Sequence, residues 1–306
     1  MTDAIETQIS ETKAPENYIN KITFVSRLRQ YKKSPLSLIL MILVMISAIF
    51  AVGMLIFIIA YILINGIPHL TAEQFEWKYT PENQSMVPAI INTVLMTLLT
   101  LLLAVPVGIF SAVYLVEYAK RGNKLVKIIR VTTETLSGIP SIVFGLFGFL
   151  MFNIHFKWGN AMLGGVITLA IMILPLIIRT TEEALLAVPD SIREGSFGLG
   201  AGKMRTVFRI VLPTAIPGIM SGIILGIGRI VGESAALIFT SGTYRAVPQS
   251  LFDSTATLTV HMYVQSNEGL HTDQAFASAV VLLALTFIIN LVSDLIERKI
   301  VRSKGQ

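Results

Sequence analysis

Two charges four residues apart, Arg229 and Glu233, interrupt the otherwise apolar stretch LGIGRIVGESAAL at residues 225–237. Placing a guanidinium at the centre of a bilayer costs from ~3 to more than ~10 kcal/mol, so such a residue persists only against a protein interior or a water-filled path. Its planar fork of N–H donors matches two oxygens of a tetrahedral oxyanion. The chemistry suggested is passage of an anion, with Arg229 lowering the barrier. Glu233 would then hold the guanidinium in place and keep the anion from binding too tightly to leave. Mutual neutralisation of the two side chains is the alternative. Against it, arginine preceding glutamate is the poorer orientation for a helical pair, and a desolvated pair gains little over two leucines. Glu134, in VTTETLSGIPS, is a third charge at the edge of an apolar run. It can snorkel, pair with Arg130 four residues earlier, or meet Arg229 or Arg179 across a helix interface.

Chemistry of other kinds is missing. LGAGKM lacks the glycine that a phosphate loop needs at Phe197 and the hydroxyl it needs at Met204. There is no H-E-x-x-H, the four histidines are scattered, and there is no cysteine. The expectation is a chain that is not an enzyme and binds no cofactor or metal of its own, any ATP and magnesium being held by a partner.

The elements that must carry these charges are membrane helices. The 306 residues are 53% hydrophobic and 14% charged, where a soluble domain carries about a quarter charged residues. Six apolar runs have bilayer length: residues 36–64, 88–116, 128–152, 161–178, 212–239 and 275–295. The first is too long for a signal peptide and reads as an anchor. With the N-terminus inside, 20 Lys and Arg fall on the inner side and only Lys78, Lys157 and Arg245 outside. That split obeys the positive-inside rule at every loop, and it assigns the net charge of +5 to topology and not to nucleic acid. The fold class expected is all-α, with six transmembrane helices and both ends inside. Residues 1–34 read as a flexible tail and 35–87 as the first span with its outer loop. Residues 88–299 read as the transport domain, with an inner loop at about 180–211, and 300–306 as a second tail.

On the fifth span Gly222, Gly226, Arg229, Glu233 and Ala236 recur at helical spacing, a small-residue stripe expected to face protein. Ile224, Ile227, Ile230 and Leu237 are expected to face lipid. Pro106, Pro140 and Pro175 lie inside spans and allow kinks. In the long outer loop, the alternating piece TLTVHMY suggests a short strand or a surface-lying segment.

The inner loop RTTEEALLAVPDSIREGSFGLGAGKMRTVFRIVLPTAIPG has helix signals of its own. Pro189 stops the preceding helix, and Asp190 or Ser191 caps a second, with Ile192, Ser196 and Leu199 recurring on one face. Gly198, Gly200 and Gly202 end it, and Pro213 and Pro217 open the next span. Within it, Glu194, Gly195, Ser196, Gly200, Ile210, Leu212 and Pro213 form E-G-S-x-x-x-G-x(9)-I-x-L-P. This resembles the EAA loop of ABC-importer permeases, with glycine and serine replacing the two alanines.

SGIPSIVFGLFG, GRIVGESAALIFTSG and LTVHMY are similar to segments of the phosphate-importer permeases, and the last two look most like the PstA type. The resemblance spans roughly residues 85–299. It implies a type I ABC importer permease fold in a bacterial or archaeal cell membrane, with the EAA-type loop seated on an ATPase. The partners it implies are a second, PstC-like permease, a PstB-like ATP-binding dimer and a PstS-like external phosphate-binding protein. A phosphate-signalling regulator is a further partner it suggests. In that family two membrane arginines are linked to phosphate passage, and they correspond here to Arg229 and Arg179. Arg179 also suits an ordinary role as the inner flank of the fourth span. Sulfate or molybdate import, a secondary anion transporter driven through Glu134 or Glu233, and a signalling scaffold remain as alternative functions.

Overall fold

The computed structural model describes residues 35–304 apart from Arg121 and Leu270, and every regular element among them is helical. The tail expected at residues 1–34 lies outside the described residues. The chain divides into two units, one ending at Ala60 and the other beginning at Tyr61. Helix α1 (Pro35–Gly66) is apolar on every side. Its 32 residues extend about 48 Å, more than the ~30 Å of a hydrocarbon core.

In the second unit, α2 (Val87–Val113) ends in a π turn at Tyr114–Tyr118. Helix α3 (Lys124–Ser137) and α4 (Ser141–Gly148) follow, the latter extended by a π turn at Phe149–His155. Then come α5 (Met162–Leu186) and α6 (Asp190–Gly198). Helix α7 (Lys203–Thr206) continues through a π turn at Val207–Val211 into α8 (Leu212–Val231). The last three are α9 (Ala235–Thr240), α10 (Leu258–Glu268) and α11 (Thr272–Lys304). Among the described residues, five helices are long and apolar enough to cross a membrane, or six if α3 and α4 form one bent span.

Helix α5 is the centre of this unit, with α2 and α8 packed along it. Leu169, Met172, Ile173 and Ile177 recur on it at helical spacing and are fully buried. Lipid is as apolar as leucine, so helices associate in it by close fit rather than by leaving water. Gly222 of α8 supplies such a fit. A Cβ there would collide with the Thr180 side chain of α5. Helix α9 lies on α4 in the same way, because a Cβ on Gly145 would come within 2.7 Å of the Ala236 Cα.

Several expectations are corrected. The third span is not one helix: α3 and α4 are bent by 103°. Pro140 is extended at ψ 143°, and a residue preceding proline is barred from the helical region, so the chain breaks at residues 138–140. Pro106 and Pro175 stay within α2 and α5 without ending them. The fourth span runs on to Leu186, eight residues past its expected end, and the fifth begins at Lys203 rather than at its prolines. The fifth also stops at Val231, and residues 232–234 separate it from α9. TLTVHMY is neither strand nor surface, since Leu258, Val260 and His261 are fully buried in α10. Ile227, Ile230 and Leu237 are buried against protein and do not face lipid. Apolar character inside a membrane does not distinguish the two neighbours.

Candidate functional site

Arg229 occupies the last turn of α8, where the negative end of the helix dipole favours a cation. Its neighbours Gly226 and Ile230 are buried, while Ser221, Leu225 and Gly232 are exposed. At 100° per residue, Arg229 therefore stands on the border between the packed face and an uncovered strip. Among the described residues, no carboxylate comes within 4.0 Å of its guanidinium. The expected partner is occupied elsewhere. Gly232 ends the helix, so Glu233 leaves the helical spacing that would set it against Arg229. Its Oε1 accepts the Ala236 N–H at 3.1 Å and caps α9, and it is 9% exposed. Neutralisation of Arg229 by Glu233 is thereby overturned, and so is the idea that Glu233 holds the guanidinium.

The other two charges meet at the inner end. Glu134, Arg179, Arg130 and Glu182 line one cavity of about 250 Å³. Arg179 Nε donates to Glu183 Oε1 at 3.0 Å along α5, both side chains being exposed. Arg130 pairs with Glu182 across the α3–α5 contact. Glu134 has no ion pair within 4.0 Å among the described residues, but it lines the same cavity as Arg179 and Arg130, and its charge reaches the Arg179 guanidinium across the α3–α5 interface. Gly222 packs on Thr180, next to Arg179, so seven residues of α8 separate Arg229 from this cavity, about 10 Å along the axis.

The inner loop folds as a helix, a break and a helix. Pro189 precedes α6, and Gly200 at φ +82° turns the chain after it, a conformation that glycine adopts without strain. Gly198 and Gly202 do not share that conformation. Glu194 and Gly195 are exposed, while Ser196 is buried, its Oγ 2.8 Å from Thr206 Oγ1. Leu199, expected to share a face with Ile192 and Ser196, is 92% exposed where Ser196 is buried, and Phe197 and Met204 are exposed beside it. Ile210, Leu212 and Pro213 are half-buried on the rod that becomes α8. The motif thus joins an exposed apolar tip to the root of a span.

Sequence reasoning missed Arg193, counting it only as a basic inner residue. It donates to Glu117 from Nε at 3.1 Å and from Nη2 at 2.9 Å. It also reaches the Val188 and Leu185 carbonyls at 2.6 and 2.8 Å, and Asp190 at 3.1 Å. Glu117 lies 76 residues away, and no local signal marks the pairing.

On the opposite side of the unit, Lys78, Tyr244 and Arg245 line a cavity of about 960 Å³. Arg245 is already engaged by Tyr79, Gln84 and Glu268. Behind it, His261 is fully buried, and neither ring nitrogen has a hydrogen-bond partner of good geometry among the described residues. Burial, reinforced by the Arg245 charge, lowers its pKa to about 3, so it is neutral at physiological pH.

Comparison with known proteins agrees with this architecture. Residues 104–303 match the family model described as "Binding-protein-dependent transport system inner membrane component". The probable ABC transporter permease YqgI of Bacillus subtilis is 33% identical over 262 residues, covering 78% of this chain and 87% of its own. The phosphate transport system permease PstA of Yersinia pestis is 32% identical over 270 residues, with coverages of 85% and 90%. Among solved structures, a bacterial alginate ABC transporter in complex with its pentasaccharide-bound periplasmic protein aligns with a TM-score of 0.66. At 16% identity, covering 89% of this chain and 98% of that one, it shares the fold alone. The chain belongs to the inner-membrane components of binding-protein-dependent transport systems, the PstA-related permeases of ABC importers.

Proposed function

We propose that this chain forms half of the translocation path of an ATP-driven importer of inorganic phosphate. Its partners would be a PstC-like permease, a PstB-like ATPase dimer and a PstS-like external binding protein. The observation that carries the reading is Arg229, a guanidinium on a membrane helix with no carboxylate partner among the described residues. A cation so placed takes its acceptor from water, a second chain or a passing anion. The uncovered strip beside it suits the wall of a path closed by the second permease. Its donor fork fits two phosphate oxygens, and the name of the Yersinia relative favours phosphate over sulfate or molybdate. Arg179 serves as a second station about 10 Å further in, where Glu134 and Glu183 weaken anion retention and favour release.

The ATPase seats on Glu194, Gly195 and the exposed Phe197, Leu199 and Met204, a compact apolar tip left uncovered by the described residues. Hydrolysis belongs to that partner. Its motion reaches the path through Ser196, Gly200, Ile210, Leu212 and Pro213, which join α6 to the rod of α7 and α8.

The test is uptake of radiolabelled phosphate and sulfate by vesicles containing the reconstituted complex. Arg229→Leu should lower phosphate uptake by roughly 100-fold, as expected when one oriented charge is removed from an anion site, with assembly intact. Normal uptake by that variant would remove Arg229 from the mechanism. Equal transport of sulfate would widen the substrate class to oxyanions, and uptake by this chain alone would replace the ATP-driven reading with secondary transport.

A further inference from the structure

Chain connectivity ties α6 to α5 on one side and to α7 on the other, but not to α2, which it meets only through side chains. We propose that Arg193 is the positioning residue that links α6 to the inner end of α2 through Glu117, so that movement of the docking helix is passed to the second span. The proposal rests on the reading of α6 as the ATPase seat.

Three observations carry it. First, the pair is enclosed, with side-chain exposures of 14% for Arg193 and 9% for Glu117. Leu115, Leu185, Val188, Ile192 and Val207 form the apolar cluster in this region. Low polarity around a charge pair strengthens each hydrogen bond and makes separation of the partners unfavourable. Second, the fork is divided between two helices. Nε and Nη2 hold one Glu117 oxygen, while Nη2 and Nη1 hold the Leu185 and Val188 carbonyls at the end of α5. The Leu185 carbonyl also accepts the Val188 N–H at 3.3 Å, and a cation at this helix end is favoured by the helix dipole. A guanidinium is planar, so neither set of bonds can shift without the other. The α5 carbonyls and Asp190 already suffice to seat Arg193, so the bonds to Glu117 add a connection rather than an anchor.

Third, Glu117 lies in the π turn Tyr114–Tyr118, and the rod leading from α6 to α8 contains another at Val207–Val211. Turns of this kind hold one residue more than an α turn and are frequent at functional sites. Both lie in the segments that α6 would have to move.

The experiment measures phosphate uptake and ATP hydrolysis in the same vesicles for Glu117→Ala, Glu117→Gln and Leu199→Glu in the full complex. Glu117→Ala cuts the link to α2 and leaves Arg193 its α5 and Asp190 partners. Uptake per ATP hydrolysed should fall about tenfold or more, as for loss of a typical coupling interaction, with the ATPase still bound. Glu117→Gln, which keeps an acceptor without the charge, should recover part of the ratio. An unchanged ratio in Glu117→Ala overturns the proposal. So does a proportional loss of uptake, hydrolysis and assembly, which would make the pair purely structural. Leu199→Glu separates the underlying reading: it should release the ATPase, and full retention would refute α6 as its seat whatever Glu117 does.

Discussion

Arg193 and Arg229 are the same side chain in opposite situations. Every guanidinium nitrogen of Arg193 donates to an acceptor of its own chain, and the side chain is 14% exposed. Arg229 stands partly exposed at the end of a span, without a carboxylate partner among the described residues. A saturated guanidinium is a joint, because all its donors are committed and breaking one strands another. An unsaturated one in an apolar setting is a receptor, because its donors are available to whatever arrives. On the reading proposed above, the first belongs to the machinery of movement and the second to the path.

Substitutions can break this contrast. The largest effect expected is the roughly 100-fold loss of uptake in Arg229→Leu, with thermal stability in detergent unchanged, since no internal bond is lost. Arg193→Leu should do the reverse to the fold: leaving Glu117 buried and unpaired is expected to reduce stability by about 3–5 kcal/mol, read as a lowered unfolding midpoint. If Arg193→Leu leaves the midpoint unchanged, the joint is not a joint.

His261 sharpens the comparison on the other side of the unit. Its folded pKa of about 3 lies below the ordinary value of about 6.5, so its neutral form is the one the fold accommodates. The unfolded chain takes up a proton below pH 6.5, and the folded chain does so only near pH 3. Stability should therefore be complete above pH 6.5 and fall by about 1.4 kcal/mol per pH unit below it, until near pH 3. Midpoints measured from pH 7 to pH 5 would show this slope, and His261→Phe should flatten it. A smaller effect is expected for Glu233→Ala, which removes the cap of α9 at about 1 kcal/mol. Smallest of all, Arg179→Gln should leave the midpoint unmoved, because its partner Glu183 is as exposed as it is. A fall in phosphate uptake without that shift would support its place on the path.

Much of this arrangement could be read from residue types alone. Runs of apolar residues located the spans, and Pro189 with the spaced glycines located the inner helix and its turn. The guanidinium at position 229 stood out because so few charges share its surroundings. Other features lay beyond such reading. Arg229 and Glu233 have the spacing of a helical pair, but spacing predicts a meeting only while the helix continues, and Gly232 ends it. A hydropathy window sums composition without direction, so it ran through the bend at Pro140. Alternation in TLTVHMY suggested a strand, yet that segment is a helix buried against α2 and α11. Arg193 was undervalued because its partner is 76 residues away.

By itself, then, the sequence determined the solvent and the expected direction of each span, because both follow from composition and from where lysine and arginine sit. It also determined the family, through short motifs of fixed spacing. Tertiary structure alone decided which charges are saturated and which remain available. That depends on where helices end and on what lies across an interface, and a hydrogen bond forms over about 3 Å of space however far apart its partners are along the chain.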